Sequence, residues 1–390
     1  MTAAPRRQLW PFAALSASYF AHIGFFNPYL PLWLKDLGHG LLAISLLTAV
    51  QSATRLVAPY GWGWLSDHTG ERIRLLRYGA AAALLVSLGL TVEGGVAWLA
   101  VVLALMFLHT SAMMPMSEAA LAHLVSAGGA FDARRYGRVR LFGSLGFLLT
   151  VLAAGAWFER FGMAHFPAWT VGSLLLVAAS AWALPDLKEA VAQPQRRQPV
   201  APVLRQPPVR WFFVSVFFHV LAHMAVYIYF SLYLDGLGYG KTVIGMLWAI
   251  SVVVEIVWFY TQSRWLPWLS LSGWLVLCGA LTVLRMGMTA TGATLWPVLL
   301  LAQALHALTF AAHHTACIAL LSHHFPGSLR GRGQALYTVL GYGLPGVLGG
   351  FGGGLLGSRL GLASVFWAAL VCGLLATYAA WRMQQPGRCS

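Results

Sequence analysis

Apolar stretches of about 20 residues recur along the chain from Trp10 to Arg382, and each is long enough to cross a bilayer as a helix. A chain that crosses lipid must satisfy its backbone polar groups internally, which leaves only helices and closed barrels. These stretches lack the two-residue alternation of barrel strands. Charged residues make up 9% of the chain, against roughly 25% in soluble domains. The fold class is therefore an all-α membrane protein. Twelve transmembrane helices are predicted, near 9–34, 41–65, 75–92, 96–125, 139–158, 165–185, 210–235, 241–264, 271–290, 294–322, 333–357 and 361–382. The first, although preceded by Arg6 and Arg7, is too long for a signal-peptide core and is read as a retained span.

The formal net charge is +14, which in a soluble protein would suggest nucleic acid. Its placement argues against that. With a cytoplasmic N-terminus, the loops at Arg72–Arg77, Arg134–Arg140, Lys188–Arg210, Arg264 and Arg330–Arg332, and both chain ends, carry nearly all the Lys and Arg. Only Lys35, Arg160, Lys241 and Arg359 fall on the far side. This is the positive-inside bias. It predicts both termini in the cytoplasm, a bacterial inner-membrane location and no nucleic-acid partner. Three cysteines (Cys278, Cys317, Cys372) lie inside predicted helices and Cys389 in the tail, so neither a disulfide nor a metal site is expected.

The only long polar interval is DLKEAVAQPQRRQPVAPVLRQPPV, Asp186 to Val209. It is read as a flexible cytoplasmic linker (188–209) between an N-terminal six-helix half (1–187) and a C-terminal half (210–390). The halves echo each other. At an offset of 200, Leu32, Leu34, Leu37, Gly38, Gly40, Ile44, Leu47 and Ala49 return as Leu232, Leu234, Leu237, Gly238, Gly240, Ile244, Leu247 and Ala249. Two pseudo-symmetric repeats with a midplane site are one architecture for alternating-access transporters.

Four segments carry a resemblance. GWGWLSDHTGERIR, Gly61 to Arg74, is similar to the helix 2–3 signature of the major facilitator superfamily, with Gly63, Leu65, Asp67, Gly70, Arg72 and Arg74 matching and His68 and Glu71 departing. FFNPYLPLWLKDLG, YGRVRLFGSLGF and FPGSLRGRGQALY resemble the phenylpropionate permease family, proton-coupled symporters related in layout to lactose permease. The resemblance implies symport of an organic acid, a sugar or a nucleoside, a gating role for Asp67, Arg72 and Arg74, and a cavity lined by helices 1, 4, 7 and 10. It implies no cofactor and no enzymatic turnover. Helix 5 lacks the Gly-Pro signature of the superfamily's antiporters.

The buried polar residues suggest roles. Glu255 lies mid-way along an apolar run, VVVEIVWF, and shares a helical face with Trp248, Ser251 and Gln262. It is read as the proton carrier, against a fixed structural ion pair. At the repeat offset stands Arg55, a candidate for a substrate carboxylate. Glu118, after Pro115, is expected to pair with Arg138 or Arg140 as a gate or scaffold. Arg285 is placed nearer the outer surface, where snorkelling is open to it, and is kept as a further candidate. Histidine–aromatic stripes then mark candidate solute contacts: Tyr19, His22 and Asn27 on helix 1; His219, His223 and Tyr227 on helix 7; His306 and His313 on one face of helix 10. For each histidine the alternative is an ordinary interhelical hydrogen bond. The expected partners are protons, a small solute and lipid, with the protein a monomer. An aromatic acid leads as the solute, before a sugar and a nucleoside, and export remains an alternative. Two rival classes are an intramembrane enzyme using His313 and His314, and a transporter-like sensor.

Overall fold

The computed structural model describes residues 8–126, 132–186 and 199–385. Twelve membrane-length helices run in chain order: α1 Trp10–Asp36, α2 Leu41–Thr69, α3 Arg72–Thr91, α4 Val96–Ser126, α5 Ala133–Phe161, α6 Met163–Trp182, α7 Pro207–Gly236, α8 Lys241–Trp268, α9 Leu271–Gly292, α10 Trp296–His324, α11 Arg330–Leu360 and α12 Ala363–Gln384. The described residues contain no strand. Half of the predicted linker, 188–198, and Cys389 lie outside the described residues; of the remaining linker, Ala201–Leu204 forms a single helical turn.

Two compact units emerge, one comprising 1–38 and 53–194, the other 39–52 and 195–390. The first turns of α2 thus cluster with the second unit. The repeat seen in the sequence has a conformational counterpart. Gly38, after α1, and Gly238, after α7, have φ of 83° and 89°; Gly162, after α5, and Gly361, after α11, have φ of 77° and 81°. These left-handed caps end the helices where a Cβ would be strained.

Within each unit helices approach closely where glycine replaces a side chain, the packing mode expected where lipid supplies no hydrophobic drive between helices. In the first unit, Gly146 of α5 lies against the backbone of Ala17 in α1. In the second, α11 turns Gly346, Gly350 and Gly354 onto Ser52, Ala49 and Ser45 of α2, and Gly349 and Gly353 onto Met224 and Tyr229 of α7. The Tyr229 hydroxyl donates to the Gly350 carbonyl at 2.7 Å, locking α7 to α11.

Because the neighbour of Gly146 is backbone, it cannot rotate away from an added side chain. Gly146→Val is expected to destabilise the protein by about 1–3 kcal/mol, read as a lowered thermal midpoint in detergent. Gly172→Ala, at a position open on all sides, should leave that midpoint in place.

Candidate functional site

The buried ionisable chemistry of the second unit gathers at mid-depth. Glu255 is 14 residues beyond Lys241, about 21 Å along α8 at 1.5 Å per residue. The polar stripe read from the sequence faces α10: Ser251 bonds Gln303 Oε1, Glu255 Oε2 lies 3.6 Å from His306 Nε2, and Gln262 Oε1 accepts from Thr315 at 2.9 Å. Ser251 and Gln303 are buried, whereas the Glu255 side chain keeps 27% of its surface exposed.

Arg285 does not snorkel. It is 1% exposed, the only fully buried Lys, Arg, Asp or Glu among the described residues. It reaches across to α10 instead of snorkelling. Its guanidinium donates to Thr309 Oγ1 at 3.0 Å, His306 Nδ1 at 3.1 Å and Gln303 Oε1 at 3.3 Å. An isolated helix offers a mid-span arginine only lipid or the membrane surface. Here α10 supplies a polar face, and the hydrogen bonds hold the charge inside.

That geometry fixes the tautomer of His306. An arginine has donors only, so His306 Nδ1 must accept, which puts the ring's proton on Nε2, aimed at Glu255. Glu255, His306 and Arg285 thus form a line: carboxylate, imidazole N–H, imidazole lone pair, guanidinium.

Thr309 extends this line to α7. Its carbonyl accepts from His219 Nε2 at 2.7 Å, and the His219 carbonyl accepts from His223 Nδ1 at 2.8 Å. The His313 ring stacks face to face on His219 at 3.5 Å and 5°. Stacked rings direct their lone pairs side by side rather than to one point, and no group of three among the described residues is placed to hold a metal ion.

The sequence put His306 and His313 on one face. The structure separates them: the turn Ala307–Ala312 is a π-helix, and its extra residue sends His306 to α8 and α9 and His313 to α7. Tyr227 lies within a second π turn, Ala225–Tyr229, its ring 6.2 Å from His223. Gln303 and Thr309 were not singled out in the sequence; their signal was a Gln and a Thr inside an apolar run, three residues to either side of His306.

In the first unit the candidates are mostly tied into packing. Tyr19 donates to the Thr110 carbonyl at 3.2 Å, and His22 Nδ1 meets Ser173 Oγ at 2.9 Å amid Phe25 and Phe26. Asn27 is partly buried, as is Arg55, which makes no hydrogen bond or ion pair to a described residue. Glu118 pairs with Arg140 at 3.0 Å, one of its two expected partners, while Arg138 is exposed. Asp67 pairs with Arg72 at 3.4 Å, and Glu71, the departure from the superfamily signature, binds Arg74 at 3.0 Å.

Twelve spans with a polar network sealed at mid-depth define a membrane transporter of the major facilitator type. The chain belongs to the family described as the MFS_1 like family, whose profile matches residues 9–368. It is similar to a probable 3-phenylpropionic acid transporter of Escherichia coli (strain K12), 29% identical over 93% of this chain and 94% of that protein, and to a maltose permease of Geobacillus stearothermophilus, 26% identical over 85% and 82%. Among solved structures it resembles the nucleoside transporter NupG, with a TM-score of 0.80 at 13% identity over 97% of this chain and all of that one. It also resembles a POT family transporter in complex with 5-aminolevulinic acid, with a TM-score of 0.75 at 11% identity over 97% of each chain. At these identities the two structures speak to the fold.

His219→Phe keeps a ring on His313 but removes the donor to the Thr309 carbonyl. The lost hydrogen bond should cost about 0.5–1.5 kcal/mol, measured as reduced thermal stability of the purified protein.

Proposed function

We propose that this protein is a proton-coupled symporter that carries a small organic solute, an aromatic acid such as 3-phenylpropionate, across the bacterial inner membrane with both termini in the cytoplasm. The observation that carries the reading is the Glu255–His306–Arg285 line. A partly exposed carboxylate backed by a neutral imidazole can accept and surrender a proton as its access to water changes. The relative of probable 3-phenylpropionic acid specificity supports an aromatic acid. The maltose permease relative favours a second reading, a sugar. Arg55 and the ring-bearing faces of α1, α7 and α10 are proposed to contact the solute, with the Asp67–Arg74 loop and the Glu118–Arg140 pair as gate elements.

The test is uptake into proteoliposomes under an imposed pH gradient, with 3-phenylpropionate, maltose and a nucleoside as solutes. The wild type should accumulate the acid uphill. Glu255→Gln should still exchange solute at equal concentrations yet lose uphill accumulation. A Glu255→Gln protein that concentrates the acid as well as the parent overturns the carrier role, and uphill accumulation of maltose alone moves the substrate to the sugars.

A further inference from the structure

Arg285 has a feature that proton handling at Glu255 leaves unused. Its three partners, Thr309, His306 and Gln303, are all neutral, and no carboxylate of the described residues forms an ion pair with it. Two of its five N–H donors have no described protein acceptor. An ionised arginine at a helix centre is costly to hold there, and such residues mark pathways for substrates and ions. The guanidinium fork matches a carboxylate bidentately. Beside it lie ring faces: the parallel His306–Phe310 pair at 5.0 Å, the His219–His313 stack, and Tyr227 near His223. A cation next to stacked rings fits a carboxylate on a short tether to an aromatic body.

Resting on the aromatic-acid reading above, we propose that Arg285 is the group that binds the solute's carboxylate, and that the anion takes the place on the guanidinium that His306 Nδ1 now holds. The titratable and charged groups facing His306 are Glu255 from α8, Arg285 from α9 and His223 from α7. While Arg285 donates to Nδ1, that nitrogen cannot take a proton. Once the carboxylate displaces it, Nδ1 is free, and the resulting imidazolium sits against Glu255. The charge balance favours joint loading. The empty site holds one anion, Glu255, and one cation, Arg285; the loaded site adds one solute anion and one proton, taken up at His306 and shared with the carrier Glu255 3.6 Å away, so its net charge is unchanged. Each ligand then strengthens the binding of the other. The sign is definite: the acid binds best at low pH, where Nδ1 can be protonated, and loses affinity as pH rises.

The experiment uses the full chain in detergent, with calorimetric titration of 3-phenylpropionate and its neutral analogue 3-phenylpropionamide, and a pH dye in weak buffer to count protons. The wild type should prefer the acid to the amide by about tenfold or more, as expected for one bidentate charged contact. It should take up about one proton per acid and none with the amide, as the exchange at His306 Nδ1 requires. Arg285→Gln should abolish the preference for the acid while still binding the amide, which also reports that the site has folded. Arg285→Lys, keeping the charge without the fork, should retain part of the preference. His306→Gln should bind the acid without taking up a proton. Retention of the acid preference in Arg285→Gln, or its loss in Arg55→Gln alone, overturns the assignment to Arg285. Acid binding by the wild type with no proton taken up overturns the exchange at His306. A wild type that binds neither ligand removes the aromatic-acid reading together with this one, whereas binding left intact by Arg285→Gln removes this one alone.

Discussion

The second unit is organised around one expensive act, keeping a permanently charged guanidinium away from both lipid and bulk water. Arginine cannot shed its charge to escape a low-dielectric setting, so its neighbours must supply acceptors. Arg285 draws on a hydroxyl, an imidazole and an amide from α10. Those acceptors are themselves positioned by others: Gln303 by Ser251, His306 by Glu255, and the Thr309 turn by His219. The helices α7, α8, α9 and α10 are thus tied at mid-depth by directional bonds whose loss would leave polar groups unsatisfied.

The two units distribute polarity differently. In the first, the fully buried polar side chains among the described residues are Ser, Thr and His22; Ser87, Thr110 and Thr170 bond to carbonyls of their own helices, and His22 to Ser173 of a neighbouring one. Its carboxylate–arginine pairs, Glu118–Arg140, Asp67–Arg72 and Glu71–Arg74 among them, stay partly exposed. In the second, the neutral hydroxyls are joined by buried histidines and by Arg285. A repeat that begins with matched glycine caps at Gly38 and Gly238 therefore ends with unlike interiors.

Much of the architecture was legible because lipid leaves so few choices. Twelve runs became twelve helices, and most predicted ends fall within three residues of the observed ones. α5 begins six residues earlier and α11 three, since their basic first turns are polar yet helical. The stripe Ser251–Glu255–Gln262 was readable because α8 keeps a regular turn through it. The setting of Arg285 was not legible because counting residues gives depth but not azimuth: the same height suits a side chain facing lipid and one facing a polar neighbour. The partner on α10 carries the deciding information, and Gln303 and Thr309 look ordinary until their helix is laid against α9. The division of His306 from His313 was hidden because a periodicity of 3.6 cannot reveal a wide turn.

That wide turn has a geometric consequence of its own. A π turn stores one surplus residue within an otherwise continuous span. Passing the surplus along the rod, or out of it, twists everything downstream by about 100°, one residue's share of a helical turn. α7, α10 and α11 each carry such a slack point. In α10 it lies immediately beyond His306, so the lower half, bearing His313 and Cys317, has a built-in swivel by which its rings can change neighbours while the span stays unbroken.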